Sequence, residues 1–444
     1  MKKKIFIKTY GCQMNEYDSN RIFDLTKKIG YSPTLDIDDS NCIIINTCHI
    51  REKATDKIYH EVGRLKKRFV NKRKPIIIIS GCVAQAEGDI MIEKESFIDA
   101  VVGPQSYHKI NKIIENINIR NKLNFTDFET IEKFDVLKTV ERINNSKVTA
   151  YLTIQEGCDK FCKFCVVPYT RGPEYSRRFK DIISEARSLI KNGIKEITLL
   201  GQNVNAYNYD GKKLSELIYE LNEMNDLKRI RYTTSHPKDM TSDLIDAHAK
   251  CNKLMPILHL PVQSGSSKIL KLMNRRHNIS EYLEIIKKLK KIKKNIKFSS
   301  DFIIGYPGED EKDFEESIEL MRKIKFINSY SFVYSPRPGT PASNLEGIND
   351  NVSKDRLRLF QKFSNEIKFQ YRQSLLDKKI KVLFENKTNN INQYFGRDEY
   401  NNSVIVNSSE NLTGKIYNVY VSSLNQNTLF GKIDFNINNE YFAA

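Results

Sequence analysis

The chain has 444 residues, enough for two to four domains with cores of their own, and no run approaches the roughly 18–20 consecutive apolar residues of a membrane span. Seventy-two Lys and Arg against 55 Asp and Glu leave a formal net charge of +17, which points to a polyanion such as nucleic acid, although a Lys-, Ile- and Asn-rich composition accounts for part of that excess. No charged-then-apolar leader precedes the first strand pattern, and thiolate cysteines need a reducing compartment, so the expectation is a cytoplasmic enzyme without a membrane partner.

Residues 1–120 alternate apolar, β-prone runs with helical patterns. Three runs end on cysteine: Lys4-Ile-Phe-Ile-Lys-Thr-Tyr-Gly-Cys12, Cys42-Ile-Ile-Ile-Asn-Thr-Cys48 and Pro75-Ile-Ile-Ile-Ile-Ser-Gly-Cys82. Fully apolar runs of this length read as parallel strands covered on both faces, and ligands gather at the carboxyl ends of such strands. Cys12, Cys48 and Cys82 are therefore expected to converge as three thiolate ligands of an iron–sulfur cluster with one iron open; a buried structural role is the alternative for each. Cys42, at a strand start, and Cys251, at a helix end, are expected to be structural. Residues 64–74 carry seven cations in eleven positions, either a solvated face or an RNA contact. The polar, charged stretch 121–147 is expected to be a linker.

From residue 148 a second alternation begins, with apolar runs at 151–154, 196–200, 230–233, 256–260, 298–304 and 329–334. Helical patterns at 181–191, 213–223 and 280–291 separate most of them. Six βα units with right-handed crossovers make a partial parallel barrel, which holds its chemistry at the carboxyl ends of the strands. The loop after the first run is Gly157-Cys-Asp-Lys-Phe-Cys-Lys-Phe-Cys-Val166. Its C-x3-C-x2-C spacing supplies Cys158, Cys162 and Cys165 to a four-iron cluster and leaves one iron to be chelated by S-adenosylmethionine. A zinc site, which wants four ligands at other spacings, and chance clustering of buried thiols are the alternatives. Polar residues after the later strands are the active-site candidates: Gln202, Asn203, Asn205, Ser235, His236, Gln263, Ser264, Asp301 and Arg337. Of these, Gln202, Asn203, Ser235, Gln263 and Asp301 are assigned as cofactor contacts. Gly305 joins them because Gly305-Tyr-Pro-Gly-Glu309 can offer free N–H groups before a helix. A second basic run, 287–297, again holds seven cations in eleven residues.

Beyond about residue 376 the pattern changes to short strands at 379–384, 403–406, 414–421 and 429–433 between Asn, Ser and Gly turns, which suits a small antiparallel OB-like β-barrel. Tyr394, Phe395, Arg397 and Tyr400 fit a basic, aromatic RNA face or, equally, the barrel core.

Several motifs together carry a resemblance. They are Tyr10-Gly-Cys-Gln-Met-Asn-Glu-Tyr-Asp-Ser19, Asn46-Thr-Cys-His-Ile-Arg-Glu-Lys-Ala54, Cys165-Val-Val-Pro-Tyr-Thr-Arg-Gly172, Leu199-Leu-Gly-Gln-Asn-Val-Asn-Ala206, Thr233-Thr-Ser-His-Pro237 and Leu260-Pro-Val-Gln-Ser-Gly265. Over nearly its whole length the chain resembles the tRNA-modifying branch of the radical S-adenosylmethionine methylthiotransferases. The resemblance implies an α/β fold class in three parts: a parallel-sheet methylthiotransferase domain at 1–120, a partial (βα)6 radical core at 148–375, and a TRAM domain at 376–444 that binds RNA. It implies two [4Fe–4S] clusters. Cys158, Cys162 and Cys165 would hold the one that binds S-adenosylmethionine; Cys12, Cys48 and Cys82 would hold an auxiliary one whose open iron carries the sulfur to be transferred. One cofactor molecule would methylate that sulfur, and another would give the 5′-deoxyadenosyl radical that takes hydrogen from adenine C2 of isopentenyl-adenosine, beside the anticodon of tRNA. A small redox protein as electron donor and a sulfur source are further implied partners. A ribosomal-protein methylthiotransferase, a threonylcarbamoyl-adenosine enzyme and a cluster-containing RNA-binding protein without turnover remain as alternatives.

Overall fold

The computed structural model describes residues 3–48, 54–117, 123–138 and 147–433. The isoleucine-rich runs build an all-parallel six-stranded sheet from β1 (Lys3–Tyr10), β2 (Tyr31–Pro33), β3 (Cys42–Thr47), β4 (Ile76–Gly81), β5 (Ala100–Val102) and β6 (Leu123–Phe125), in spatial order β2-β1-β3-β4-β5-β6. Successive strand side chains point to opposite faces. Ile5, Ile44 and Ile78 therefore pack on one side with Ile22 and Leu25 of α1 (Gln13–Lys27), while Ile43, Ile45, Ile77 and Ile79 pack on the other with Ile58, Val62 and Leu65 of α2 (Ala54–Arg68). Both faces are covered, which is why these runs show no polar alternation. Each fully buried isoleucine contributes about 1.5–3 kcal/mol, so the sheet is a stiff platform.

The register of that platform brings the cysteine-bearing strand ends to one level. Tyr10 stands opposite Thr47 and Thr47 opposite Gly81, so the ends of β1, β3 and β4 are aligned. Cys12 caps α1, Cys48 follows β3, and Cys82 opens α3 (Cys82–Lys94).

The stretch expected as a linker is largely part of this domain, a correction to the sequence reading. β6 pairs in parallel with β5 at the sheet edge, and α5 (Thr130–Leu137) buries Phe134 and Leu137 in the same core as Ile110 and Ile113 of α4 (Ile110–Asn116). A three-residue strand and an eight-residue helix are too short to impose a visible period on a charged stretch. Residues 121–122 and 139–146 of it lie outside the described residues.

The second alternation forms two three-stranded parallel sheets. One holds β7 (Thr149–Thr153), Glu196–Leu200 and Arg229–Tyr232; the other holds Ile257–His259, Lys297–Ile304 and Asn328–Val333. A single bridge, Ile230 to Leu254, continues the arc between them, and their helices close one large core around Leu199, Ile230, Phe298 and Phe302. The expected helices occur at Phe179–Lys191, Leu214–Asn222 and Ile279–Ile292.

A 24-residue helix, Asp350–Gln373, leads to a closed five-stranded barrel of Lys379–Lys387, Gln393–Asp398, Ser403–Asn407, Ile416–Leu424 and Thr428–Ile433. The sequence reading lacked the strand Gln393–Asp398, whose Gly396 and two polar termini hide its alternation. The other strand pairs are antiparallel, as an OB-like barrel is expected to be, and one parallel pair, Ser403–Asn407 with Thr428–Ile433, closes the barrel. Arg229 and Arg231 dock this barrel on the two three-stranded sheets by donating to the backbone carbonyls of Lys381, Arg397, Asp398 and Glu399 at 2.8–3.2 Å. Among the described residues no helix is long and apolar enough to cross a membrane.

Candidate functional site

The carboxyl ends of both parallel arrays face one cavity of about 1870 Å³. Cys12, Cys48, Cys158, Cys162 and Cys165 line it, and Cys82 lies buried behind Cys12. Local backbone places each set. Gly11 takes φ +132°, and a Cβ there would fall 2.3 Å from Cys48 Cβ, so only glycine lets the β1 end close onto the β3 end. Gly157 takes φ +73° with its would-be Cβ 1.8 Å from the Pro173 carbonyl, which turns the chain sharply into Cys158.

Side chains then fix the loops. Asn46 Nδ2 donates to Asn15 O at 2.8 Å and to Ser19 Oγ at 2.9 Å, Asn15 Nδ2 donates back to Asn46 Oδ1 at 3.1 Å, and Cys12 Sγ donates to Asn15 Oδ1 at 3.2 Å. Gln202 joins the two halves: its Oε1 accepts from Gly157 N at 2.8 Å and its Nε2 lies 3.0 Å from Met14 Sδ. Arg171, at the end of α6 (Val167–Arg171), donates to Asp18 Oδ2 at 2.9 Å and lies 3.7 Å from Glu156 Oε1. Glu156 in turn accepts from the wholly buried Lys133 at 2.5 Å.

The thiols divide electrostatically. The neighbouring Cys48 draws Cys12 down to about 6, helped by Arg171 and the first amides of α1 against the cost of burial. Burial raises Cys82, pushes Cys158 up to about 11 and Cys165 up to about 12. Cys42 and Cys251 are buried in the apolar cores, where burial likewise raises both.

Among the described residues, the three-group set whose ligand atoms all come within 4.8 Å of one another is His108, Glu129 and Glu132, and neither cysteine triplet closes that far. Three thiols at each site leave a zinc ion short of its four protein ligands, whereas a four-iron cluster accepts three and keeps one iron open.

Around the cavity, Gln202, Asn203, Ser235, His236, Gln263, Asp301 and Arg337 are all brought to the lining, as the strand-end reading expects. Three of them carry buried polar atoms without a hydrogen-bond partner: Asn203 Oδ1, Ser235 Oγ and His236 Nε2. His236 Nδ1 accepts from Lys238 N at 3.1 Å, which leaves the ring proton on Nε2 in the neutral tautomer that burial favours. Asp239 orients the neighbourhood by accepting from Asn203 Nδ2 at 2.7 Å and pairing with Lys160 at 2.8 Å. Thr234 (φ 68°) and Gln263 (φ 80°) hold left-handed backbone despite their side chains, a strain that concentrates at ligand sites.

Asn205 and Ser264 support the site from outside the lining. Asn205 bonds both the N–H and the carbonyl of His236, at 2.8 and 2.9 Å, and Ser264 Oγ accepts from Ser266 N at 3.1 Å. Gly305 also stands apart from the lining. Its N–H donates to Glu309 Oε1 at 3.0 Å and its open face packs on Ser353, so the turn is closed by its own chain.

The barrel contributes Glu385, Asn386, Arg397, Tyr400, Asn401 and Asn402 to the same cavity. The four residues weighed as an RNA face divide. Tyr394 packs in the barrel core, Phe395 lies under the Arg397 guanidinium at 5.2 Å, and Arg397 and Tyr400 reach the cavity. Of the two basic runs, the first is largely tied down, with Arg68 and Lys72 on Asp38 and Lys74 on Asp99 at 2.6 Å. Sequence reasoning missed Arg171, Arg275 and His259, whose Nε2 lies 3.4 Å from the expected Asp301. Adjacency to the cysteine loop was the one available signal for Arg171, and no periodicity marks the other two.

Comparison with known proteins agrees with this architecture. Residues 152–321 match the Radical SAM superfamily, and residues 4–103 match a family described as Uncharacterized protein family UPF0004. The fold is similar to a radical S-adenosylmethionine methyltransferase, TsrM, from Kitasatospora setae, with a TM-score of 0.58 at 10% identity over 77% of this chain and 74% of that one. The chain is 58% identical over 440 residues, 98% of each chain, to a tRNA-2-methylthio-N(6)-dimethylallyladenosine synthase from Pelagibacter ubique (strain HTCC1062). It is 48% identical to a protein of the same name from Wolbachia pipientis subsp. Culex pipiens (strain wPip), over 97% of this chain and 99% of that one. The matched superfamily implies S-adenosylmethionine and a [4Fe–4S] cluster. At these identities over nearly the full length of both chains, the protein belongs to the family of tRNA-2-methylthio-N(6)-dimethylallyladenosine synthases.

Proposed function

We propose that the chain methylthiolates C2 of N6-isopentenyl-adenosine next to the anticodon of tRNA. The observation that carries the reading is that cysteines of both triplets, from two separate parallel arrays, meet at one cavity, Cys12 and Cys48 with Cys158, Cys162 and Cys165. The donor set fits the groups the reading needs: each triplet offers three thiols, and unpartnered buried polar atoms face the space between them. Cys158, Cys162 and Cys165 would hold the cluster that binds S-adenosylmethionine; Cys12, Cys48 and Cys82 would hold an auxiliary cluster. When bound, these groups supply one-electron chemistry strong enough to open an aromatic carbon–hydrogen bond, together with the sulfur that replaces the hydrogen.

The chain's own residues position and enclose. Asn203, Ser235 and His236 present an acceptor, a hydroxyl and a ring N–H where S-adenosylmethionine would lie, with Gln263 and Asp301 on the adjoining strand ends. Gln202 belongs to that group as the brace holding the cysteine loop against α1. Tyr330 and Phe332 of the strand Asn328–Val333 are exposed aromatic rings on the lining, suited to stacking on a base unstacked from an RNA loop. Arg397 and Tyr400 extend the lining onto the barrel, which on this reading is a TRAM domain that carries the RNA. The reading also calls for a small redox protein as electron donor, a source of replacement sulfur, and a cytoplasmic setting.

The test is mass spectrometry of tRNA nucleosides from a deletion strain carrying either wild type or a variant, with S-adenosylmethionine cleavage assayed on the purified proteins. The 2-methylthio nucleoside should vanish on deletion and return with wild type. Changing Cys12, Cys48 and Cys82 to Ala should leave reductive cleavage of S-adenosylmethionine intact and abolish methylthiolation; changing Cys158, Cys162 and Cys165 should abolish both. Persistence of the 2-methylthio nucleoside in the deletion strain would sink the assignment.

A further inference from the structure

Each triplet has one buried arginine against it, and the two arginines differ in what else surrounds them. Arg275 is 6% exposed, donates from Nη1 to Cys162 Sγ at 3.5 Å and from Nη2 to the Pro261 carbonyl at 2.7 Å, and leaves Nε without a partner. Among the described residues no carboxylate pairs with it. Asp301, a carboxylate on the same cavity lining, is placed on His259 at 3.4 Å instead. Arg171 is 2% exposed and reaches Cys82, but two carboxylates, Asp18 and Glu156, share its charge, and its Nη1 has no hydrogen-bond acceptor. A buried guanidinium with spare donors is expensive unless an anion accompanies it. Beside three thiols that anion is the sulfur of a bound cluster, and charge and hydrogen bonds at its sulfurs set a cluster's potential.

We propose that Arg275 and Arg171 are positioning residues that set the reduction potentials of two separate clusters apart, so that a single electron settles at the Cys158, Cys162 and Cys165 site. This rests on the two-cluster reading above. A cation stabilises the form that has gained an electron. Arg275, without a counter-ion, raises the potential of its cluster, whereas in the other network the carboxylates of Asp18 and Glu156 offset the charges of Arg171 and Lys133. The electron comes from a low-potential one-electron donor, which is oxidised as one cluster is reduced; no bond or proton is exchanged in that step. The arrangement directs reducing power to the site where S-adenosylmethionine is cleaved and spares the one that would carry sulfur.

The experiment is a dithionite-poised potentiometric titration followed by electron paramagnetic resonance, on anaerobically reconstituted full-length wild type, Arg275→Met, Arg171→Met and Asp18→Asn. Iron is counted in each, and S-adenosylmethionine is added to mark the signal of the site that binds it. Wild type should hold about eight irons, with the S-adenosylmethionine-responsive signal at the higher potential. Arg275→Met should move that signal to lower potential and leave the other in place; Asp18→Asn should move the unresponsive signal upward. Arg275→Lys, which keeps the charge, should stay near wild type, and Arg275→Gln, which removes it, replaces the Met variant if that one loads no iron. A fully loaded Arg275→Met protein with unchanged potentials, or a wild type whose responsive signal lies lower, overturns the inference while leaving two clusters in place. A wild type with only about four irons overturns the two-cluster reading and the inference with it.

Discussion

At the scale of single residues, the site is held by charges that only a partner makes tolerable. Lys133 and Glu156 are both fully buried, 2.5 Å apart, and Asp18 and Arg171 extend the pair into a network joining α1, α5 and α6. Removing one member strands a buried charge, which costs about 3–5 kcal/mol. Lys133→Met should therefore lower the unfolding free energy by about that amount in urea titration, and adding Glu156→Gln should recover part of it because the orphaned charge is gone. Glu309 makes a different prediction. Burial pushes its carboxyl up to about 7, against the pull of the Gly305 amide and Arg356. A raised acid holds its proton more tightly when folded, so between about pH 4.5 and 7 the unfolded chain ionises first and stability falls as pH rises. Glu309→Gln keeps both hydrogen bonds and removes the titration. Its urea midpoint should lose less than that of wild type across this window, and identical slopes would show that Glu309 is not the group responsible.

At the scale of elements, the closed barrel is joined to the radical core through backbone carbonyls rather than through an apolar face. Arg229 and Arg231 supply five donor contacts, each worth about 1.5–3 kcal/mol to a charged donor, with Glu196 placed to neutralise them at 3.8 and 3.0 Å. Replacing both arginines with Ala should loosen the barrel. Limited proteolysis should then cut faster between the helix Asp350–Gln373 and the first barrel strand, with iron content unchanged. The helices of the radical core were legible because their apolar periodicity is long and regular. β6 and the strand Gln393–Asp398 were not, since a short or glycine-interrupted strand takes its place from the neighbours it pairs with.

For the whole molecule, the charge of +17 becomes a statement about RNA once its distribution is known. Arg68, Lys72 and Lys74 are paired with acids, whereas Arg397 lies on the cavity rim and partly on Glu385 at 3.2 Å. If six or more cations meet phosphates, tRNA affinity should fall by roughly 10³-fold or more between 50 and 200 mM salt. Deleting residues 376–444 should weaken binding and flatten that slope while iron content and basal S-adenosylmethionine cleavage persist. Unchanged affinity after the deletion, measured by filter binding, would remove the barrel from RNA recognition. The sequence by itself determined the parallel arrays, the six strand-end cysteines and the polar residues behind each strand, because burial on both faces and ligation at strand ends are local consequences of residue type and spacing. Only the tertiary structure decided that cysteines of both triplets share one cavity, that Arg171 meets Asp18 and Arg275 meets Cys162, and that Gly305 turns away. Those contacts join residues more than a hundred positions apart or depend on how whole sheets are docked, and no local pattern encodes the charge that a distant side chain brings to a buried site.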